Sequence, residues 1–238
     1  MIPKKIHYCW FGNGKLPEKE QKCIESWRKM LPDYELVCWD ENNFDINSTQ
    51  FTKEAYLAKK YAFVADYVRI FVLKQEGGIY LDTDVEVIRS FDDLLQCAFF
   101  SGYETDGVIQ TGVIGCEPNS SFISKIYEYY NNRAFIKPDG TFDQTPNSAI
   151  IANLMKKQGI SMKNERHSYQ ELELYPSDYF CPINQATWEI KVTNNTYCIH
   201  YLSGSWLSKK DRLSRQLKTI IGSVFGYKVV EQLRNLFR

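Results

Sequence analysis

Two aspartates separated by one residue directly follow a short apolar segment of the chain. The segment from Gly77 to Leu81 is a Gly-Gly pair followed by three strand-forming residues, and Asp82 and Asp84 come next. This composition predicts a buried β-strand that starts after the glycine break. In open α/β sheets, ligands bind outside the carboxyl ends of the strands, so both carboxylates should face a ligand. Close carboxylates repel each other unless a cation neutralises them, and a hard divalent cation would bind them together with a diphosphate. These residues suggest a metal-dependent enzyme acting on a nucleotide-sugar, whereas the alternative is an ordinary polar turn.

A second charged pair lies upstream of that strand. Asp66 and Arg69 are three residues apart, so they share one face if the segment is helical. One interpretation is a surface ion pair, which contributes about 0.5 kcal/mol. However, the flanking positions 61–64 and 70–72 are almost all apolar or aromatic, so the helix is hydrophobic nearly all round. A charged pair inside a buried helix is costly, which favours a functional role for Asp66 and Arg69.

A histidine ends the last predicted strand and is followed by a loop of small residues. The sequence from His200 to Trp206 is His-Tyr-Leu-Ser-Gly-Ser-Trp. Neutral imidazole is a good ligand for Mn²⁺, whereas Mg²⁺ prefers oxygen. His200 is therefore a candidate third metal ligand. The alternative is a structural histidine, because a lone histidine usually binds no metal.

The order Ala-Asp-x-x-Arg and then Gly-Gly-Ile-Tyr-Leu-Asp-Thr-Asp resembles the DXD-motif glycosyltransferases, including glycosyltransferase family 32 with its capsular polysaccharide and mannosyltransferase-like members. It is also similar to the glucosyltransferase domain of clostridial toxins. The resemblance covers Ile2 to about Gly115, and it reaches the strand near His200 by motif only. It implies an α/β fold, namely a GT-A-like, Rossmann-type nucleotide-sugar-binding domain with a mixed central sheet and a C-terminal helical appendage.

The resemblance also implies roles for single residues. Asp66 and Arg69 would contact the donor sugar and diphosphate. Asp82 would bind the donor ribose, the sugar or the metal, and Asp84 would be a direct ligand of Mn²⁺ or Mg²⁺.

Three further residues receive roles by the same likeness. Trp10 would stack on the nucleotide base, although a core tryptophan is an equal alternative. Ser205 and Trp206 would lie near the diphosphate. Two other segments, 110–115 and 143–147, fall where relatives place sugar- and acceptor-facing loops, but the second lacks the glycine of the usual Thr-Gly-Pro.

The implied reaction moves a hexose or N-acetylhexosamine from a nucleotide-diphosphate sugar to a hydroxyl group with retention of configuration. UDP is expected ahead of GDP, and the acceptor would be a glycan or lipid-linked glycan in bacterial surface polysaccharide synthesis. Two alternatives stay open, namely a non-catalytic carbohydrate- or partner-binding module and a metal-dependent nucleotidyltransferase. The second predicts a glycine-rich phosphate loop, and the chain contains neither GxxxxGK[ST] nor GxGxxG.

The elements that must position these residues begin with a Rossmann-like half. We predict a strand at 5–10, a helix at 17–30, a strand at 35–39 and helix from 52 to 75 with a break near Lys59. Further strands are predicted at 85–88, 99–103, 108–116 and 196–200, and helices at 119–131 and 146–158. The predicted division is a glycosyltransferase domain at 1–207 and a basic amphipathic helical tail at 208–238.

Composition limits the partners. The 29 basic and 29 acidic side chains give no net charge, so nucleic acid is not an expected partner. Seven scattered cysteines without a CxxC pair, and the lack of a signal-like N-terminus, predict a cytoplasmic protein. The tail carries eight basic and two acidic residues among apolar residues at helical spacing. It predicts either a helix packed on the core or contact with the inner face of an anionic membrane.

Overall fold

The computed structural model describes residues 1–204 and, beyond them, positions 213, 217, 220, 221, 224 and 226. Ser205 and Trp206, both predicted near the diphosphate, lie outside the described residues. The division into a domain at 1–207 and a tail at 208–238 therefore stays a prediction.

The chain opens with the predicted strand-helix-strand unit. Strand β1 (Lys5–Cys9), helix α1 (Glu18–Met30) and strand β2 (Glu35–Trp39) follow each other, and the two strands pair in parallel. Helix α1 buries Cys23, Ile24 and Trp27, which recur on one helical face, while its other positions are mostly charged or polar. This pattern holds α1 against one face of the sheet.

Two helices lead to the strand that carries the aspartates. Helix α2 (Gln50–Leu57) and helix α3 (Tyr61–Glu76) are separated near Lys59, which has a φ of 56°, so the predicted break is confirmed. Helix α3 is followed by Gly77 and by strand β3 (Gly78–Leu81). Gly78 has a φ of 94°, and a Cβ there would lie 2.7 Å from the carbonyl oxygen of Lys5. The Gly-Gly pair thus permits both the turn and the close pairing of β3 with β1.

The remaining elements follow in chain order: β4 (Val85–Val87), β5 (Phe99–Thr105), β6 (Val108–Ile109), β7 (Val113–Cys116), α4 (Ser121–Glu128), α5 (Asn147–Lys157), β8 (His167–Tyr169), β9 (Leu172–Tyr175), α6 (Ser177–Phe180) and β10 (Cys198–His200). The predicted single strand at 108–116 is wrong, because residues 110–112 leave the ladder between β6 and β7. The Gln110 amide still donates to the Gly102 carbonyl of β5, whereas the carbonyl groups of Thr111 and Gly112 bond within the site described below.

The central sheet has eight strands in the order β2-β1-β3-β7-β5-β9-β8, with β6 paired to β5. Strand β1 pairs in parallel with β2 and β3, and β5 pairs in parallel with β9, whereas β7 is antiparallel to both β3 and β5. The predicted mixed α/β sheet is confirmed. Strands β4 and β10 form a separate antiparallel pair.

Apolar side chains fill both faces of this sheet. On one face, Val64, Val68 and Leu73 of α3 pack with residues of α4 and α5, and on the other Trp27 of α1 packs with Phe91. All of these side chains are buried, which stabilises the fold by roughly 1.5–3 kcal/mol for each large aliphatic or aromatic group. The two layers hold α3 and α1 on opposite sides of β3.

The cysteines and helices give two further facts. All seven cysteines are free thiols. In the described part of the chain, no helix combines the length and the apolar character that a membrane crossing requires.

Candidate active site

The site begins with an arginine that bridges two aspartates. Arg69 Nη2 lies 3.0 Å from Asp66 Oδ1 and 3.2 Å from Asp82 Oδ1. The guanidinium carbon is 4.5 Å from the ring centroid of Tyr80, whose hydroxyl donates to Asp82 Oδ1 at 3.1 Å. The predicted helical pair of Asp66 and Arg69 therefore exists, and Asp82 joins it from the sheet. Buried between these charges, the guanidinium has a raised pKa and stays protonated: burial lowers its pKa, but the carboxylates more than offset that effect.

Strand alternation explains why Asp82 meets Arg69. Ile79 and Leu81 point into the core layer that contains α1, whereas Tyr80 points into the layer that contains α3. Asp82 is two residues after Tyr80, so its side chain leaves the strand end on the side of α3. Because side chains alternate between the two faces of a strand, the Asp82 carboxylate at the end of β3 reaches Arg69 on the preceding helix.

The turn between β6 and β7 closes this part of the site with backbone groups. Arg69 Nη1 donates to the carbonyl oxygen of Thr111 at 2.7 Å, and the Asp82 amide donates to the carbonyl oxygen of Gly112 at 2.9 Å. A Cβ at Gly112 would lie 2.5 Å from His200 Cε1 and 3.0 Å from Asp82 Oδ2. These contacts explain why Thr111 and Gly112 interrupt the ladder, and why a glycine stands at the closest approach.

Asp84 is held from two sides by the segment that follows β10. Its Oδ2 accepts a hydrogen bond from the Ser203 amide at 2.6 Å, and its carbonyl oxygen accepts one from the Tyr201 amide at 3.1 Å. Burial alone would raise the pKa of the Asp84 carboxyl, but the charge of His200 and the hydrogen bonds from His200 and Ser203 lower it well below its ordinary value. Asp84 is therefore a buried, fully ionised carboxylate.

His200 reaches both aspartates of the motif. Strand β10 pairs with β4, and this places His200 opposite Val85, next to Asp84. His200 Nε2 lies 3.4 Å from Asp84 Oδ1 and 3.8 Å from Asp82 Oδ2. Burial lowers the pKa of the imidazole, but the carboxylates outweigh burial and raise it to about 9. The ring is buried, and its Nδ1 has no hydrogen-bond partner in the described part of the chain.

These three side chains fit a divalent metal ion. One ligand atom each from Asp82, Asp84 and His200 lies within 4.8 Å of the others, which makes the group a candidate metal site. Two carboxylates and one imidazole suit Mn²⁺, and Mg²⁺ would rely mainly on the oxygen ligands. The two carboxylates favour a positive charge beside them, so a proton on His200 and a metal ion would compete for this site.

Asp66 packs against a polar layer that combines the segment 143–147 with Tyr130 and Arg133, two residues that the sequence motifs did not indicate. Asn147, the first residue of α5, donates from its side chain to the carbonyl oxygen of Asp66 at 2.7 Å and accepts a hydrogen bond from the Tyr130 hydroxyl. Burial raises the pKa of Asp66 to about 6, although the charges of Arg69 and Arg133 and a hydrogen bond from the Asn147 backbone oppose the rise. This polar layer orients a carboxylate that would otherwise be buried without enough partners.

The segment at 143–147 provides most of that layer. Arg133 Nε and Nη2 both lie 2.8 Å from Asp143 Oδ2, and Thr145 donates its hydroxyl to Asp143 Oδ1 at 2.7 Å. The family resemblance predicts that this segment belongs to a sugar- or acceptor-facing loop. In the structure, its last residue contacts Asp66 directly.

Trp10 lies at the carboxyl end of β1, next to β3. The residue is half-buried, and its indole nitrogen donates to the carbonyl oxygen of Gly14. The parallel pairing of β1 and β3 places Trp10 and Asp82 at the same edge of the sheet. This location is compatible with the predicted contact to a base, which stays a prediction.

Comparison with known proteins agrees with this geometry. Residues 17–100 match the family model described as the glycosyltransferase sugar-binding region containing the DXD motif. An uncharacterised glycosyltransferase, L373, of Acanthamoeba polyphaga mimivirus is 26% identical over 197 residues, which are 77% of this chain and 74% of the relative. Inositol phosphoceramide mannosyltransferase 3 of Schizosaccharomyces pombe is 33% identical over 138 residues, or 56% of this chain and 38% of that protein. This chain therefore spans well under half of the yeast relative.

A solved structure is similar in fold. The PaToxG glycosyltransferase superposes with a TM-score of 0.51 over 66% of this chain and 69% of the toxin chain, at 18% sequence identity. The expected GT-A-like fold and the resemblance to DXD-motif glycosyltransferases are confirmed. The chain contains the sugar-binding region of the DXD-motif glycosyltransferases, and it is a glycosyltransferase.

Proposed function

We propose that the protein is a metal-dependent, retaining glycosyltransferase. It would transfer a hexose or N-acetylhexosamine from a nucleotide-diphosphate sugar to a hydroxyl group of a glycan acceptor. The observation that carries this proposal is the convergence of Asp82, Asp84 and His200 beside Arg69, at the carboxyl edge of the sheet. A cation site next to a fixed guanidinium is suited to a diphosphate, because both positive groups face one small region.

The residues would divide the work as follows. Asp84 and His200 would hold the metal, and Asp82 would face both the metal and the donor. When bound, the divalent ion would neutralise the negative charge that develops on the leaving diphosphate. Arg69 is fixed by two carboxylates and a carbonyl group, so it would add a preorganised positive charge without reorganisation. Asp66 would orient Arg69 and bind hydroxyl groups of the donor sugar.

We expect retention of configuration from the family resemblance, and the engagement of the carboxylates bears on how it would be achieved. Asp66 and Asp82 are both in ion pairs with Arg69, and Asp84 accepts from Ser203 and His200. None of these three carboxylates is therefore presented as a nucleophile for a covalent intermediate. Attack of the acceptor hydroxyl from the face of the leaving group, with the phosphate taking the proton, fits this arrangement.

For the donor and the acceptor, we propose classes of molecule and no single compound. We expect UDP as the nucleotide ahead of GDP, and the name of the Schizosaccharomyces pombe relative keeps mannose among the candidate sugars. The acceptor would be a glycan or lipid-linked glycan, as in bacterial surface polysaccharide synthesis. Because the match covers only 38% of that relative, mannose remains one candidate sugar among several for this chain.

Donor hydrolysis provides a test that needs no acceptor. UDP- and GDP-sugars would be incubated with the protein in the presence of Mn²⁺, Mg²⁺ or a chelator, and the free nucleotide diphosphate would be measured. Hydrolysis should require the metal and should fall about 10²–10³-fold in Asp84→Asn, which keeps the shape of the side chain. Asp139→Asn is the matched control, because Asp139 lies in an exposed turn, where its carboxylate accepts hydrogen bonds from Thr141.

Other outcomes would favour the alternatives. Release of pyrophosphate from a nucleoside triphosphate would support a nucleotidyltransferase. Binding of glycans without any metal-dependent nucleotide binding would support a non-catalytic module. Either result, together with unchanged nucleotide affinity in Asp84→Asn, would contradict the transferase proposal.

The proposal includes membrane contact through the C-terminal tail. The described positions Leu213, Leu217 and Val224 are helical and are 58%, 51% and 65% exposed. Their spacing puts them on one helical face, and the sequence around them is rich in lysine and arginine. An apolar stripe within a basic segment matches an anionic lipid surface.

Vesicle sedimentation would test the tail. The protein should sediment with vesicles that contain phosphatidylserine and not with pure phosphatidylcholine. The double variant Leu213→Glu and Leu217→Glu should lose this binding, whereas Leu57→Glu, at a position 71% exposed on α2, should keep it. Equal binding by all variants would contradict membrane contact through this face.

A further inference from the structure

A lysine outside the motifs lies beside the segment that holds Asp84. Lys19 is the second residue of α1, on the opposite side of β3 from Arg69. Its Nζ lies 3.1 Å from Ser203 Oγ and 4.3 Å from the ring centroid of Tyr201. The Ser203 amide in turn donates to Asp84 Oδ2 at 2.6 Å. Ser203 thus contacts both the Lys19 ammonium group and the carboxylate of Asp84, a proposed metal ligand.

Helix α1 is rigidly positioned for this contact. Trp27 Nε1 donates to the carbonyl oxygen of Val85 at 2.6 Å, and Ser26 Oγ accepts from the Val87 amide at 2.9 Å, so α1 is bonded to β4. Cys23, one helical turn after Lys19, lies near enough to Asp84 for the carboxylate to add to the effect of burial in raising the thiol pKa. The start of α1 is therefore held close to the Asp84 carboxylate.

In the described part of the chain, no carboxylate forms an ion pair with Lys19. Within residues 1–204, Lys19 has no acidic group at ion-pair distance, and its contacts are a hydroxyl group and an aromatic face. By contrast, Lys22 on the same helix is 2.7 Å from Glu18. The side chain of Lys19 is exposed, so its ammonium group can exchange the serine hydroxyl for a ligand at little cost.

We infer that Lys19 binds the outer phosphate of the donor diphosphate and of the nucleoside diphosphate product. The inference rests on the proposed function and adds a second cation to the donor site, opposite Arg69. In the absence of ligand, Ser203 keeps the ammonium group in place. When a diphosphate binds at the Asp84 side of the site, Lys19 moves from the hydroxyl to a phosphate oxygen, which is a stronger, charge-assisted contact.

The competing role for Lys19 is positional. In that case the lysine would only pin residues 201–203 over Asp84, and Ser203 would be its functional partner. The two roles differ in their dependence on the phosphate and on the Ser203 hydroxyl. A phosphate contact depends on the number of phosphates in the ligand, whereas a positional role depends on the bond to Ser203.

Titration calorimetry with Mn²⁺ at low ionic strength would separate them. UDP, GDP, UMP and GMP would be titrated into the wild type and into Lys19→Met, Lys19→Arg, Ser203→Ala and Lys29→Met. The last variant removes an exposed charge near the far end of α1. We expect Lys19→Met to bind the diphosphate about tenfold more weakly and the monophosphate within about twofold of the wild type. Lys19→Arg and Lys29→Met should stay close to the wild type. Ser203→Ala also removes a side-chain hydrogen bond to Asp84, so it should weaken diphosphate and monophosphate binding by the same factor.

Three other outcomes would each contradict a specific part of this inference. If Lys19→Met binds the diphosphate as tightly as the wild type does, Lys19 does not contact the phosphate. If Lys19→Met weakens diphosphate and monophosphate binding equally, as Ser203→Ala is expected to do, the role of Lys19 is positional and the inference is wrong. If the wild type binds neither UDP nor GDP with Mn²⁺, the proposed function itself fails, and this inference fails with it.

Discussion

Replacement of Gly112 by alanine is a direct test of the site geometry. Gly112 has no unusual φ, so alanine is compatible with its backbone, and the effect must come from the added methyl group. That methyl carbon would lie 2.5 Å from His200 Cε1, 2.7 Å from His200 Nδ1 and 3.0 Å from Asp82 Oδ2. Because carbon atoms prefer separations of at least 3.5 Å, the imidazole would have to move by about 1 Å.

That displacement sets the expected magnitudes. His200 is buried and its Nε2 is 3.4 Å from Asp84, so a shift of the ring disturbs the candidate metal ligands directly. Misplaced metal-site groups typically lower metal affinity about 10–100-fold. Catalysis should fall about 10²-fold through misplacement of the reacting groups. The cost in the free energy of unfolding from overpacking should be about 1–3 kcal/mol.

The assay combines calorimetric Mn²⁺ titration with denaturant unfolding, and Gly115→Ala is the matched control. A Cβ at Gly115 would lie 2.1 Å from Phe100 Cε1 in the core, so this variant should lose stability but should keep its Mn²⁺ affinity when folded. If Gly112→Ala bound Mn²⁺ like the wild type while losing no more stability than Gly115→Ala, the proposed grouping of His200 with the aspartates would be refuted.

Three further results are expected. Arg69→Lys should lower kcat/KM for donor hydrolysis about 10²–10³-fold. The reason is that an ammonium group cannot contact Asp66, Asp82 and the Thr111 carbonyl in the geometry of the guanidinium. Activity near the wild type would contradict the bridging role of Arg69. Since the pKa of His200 is raised to about 9 without metal, Mn²⁺ must displace a proton, and its affinity should rise about tenfold per pH unit from neutral pH until it levels near pH 9. A flat profile would exclude His200 as a ligand. In the metal-free protein, the raised pKa means that His200 contributes full stability below its ordinary value of 6.5 and loses it as the pH rises through about 9. Denaturant unfolding should therefore show a smaller fall over this window in His200→Gln than in the wild type.

Local patterns were sufficient to predict the charged pair and the motif strand. The spacing of Asp66 and Arg69 determines their contact on α3, and the alternation from Ile79 to Asp82 determines which layer the carboxylate faces. The break near Lys59 and the parallel β1–β2 unit also follow from short-range signals. These features depend on neighbours within a few residues, and such information is present in the sequence.

The remaining contacts join distant parts of the chain. Gly112 approaches His200, Asn147 bonds to Asp66 across 81 positions, and the Ser203 amide bonds to Asp84 across 119 positions. No periodicity encodes these distances, because they depend on the strand order and on antiparallel β7. The predicted strand at 108–116 fails for the same reason. Its apolar residues indicate a single strand, but the polar partners of Thr111 and Gly112, which interrupt the ladder, lie on other elements.

The attachment of β10 has a consequence for the stability of the site. This strand pairs with β4 through only three residues and is not part of the central sheet. The residues of β10 are buried, but a ladder this short supplies few hydrogen bonds that fix the strand to its neighbour. A cation held jointly by Asp82, Asp84 and His200 would cross-link this segment to the sheet and close a loop of more than a hundred residues. Metal binding would therefore hold β10 to the central sheet, so that separating this strand from the sheet would also require release of the metal.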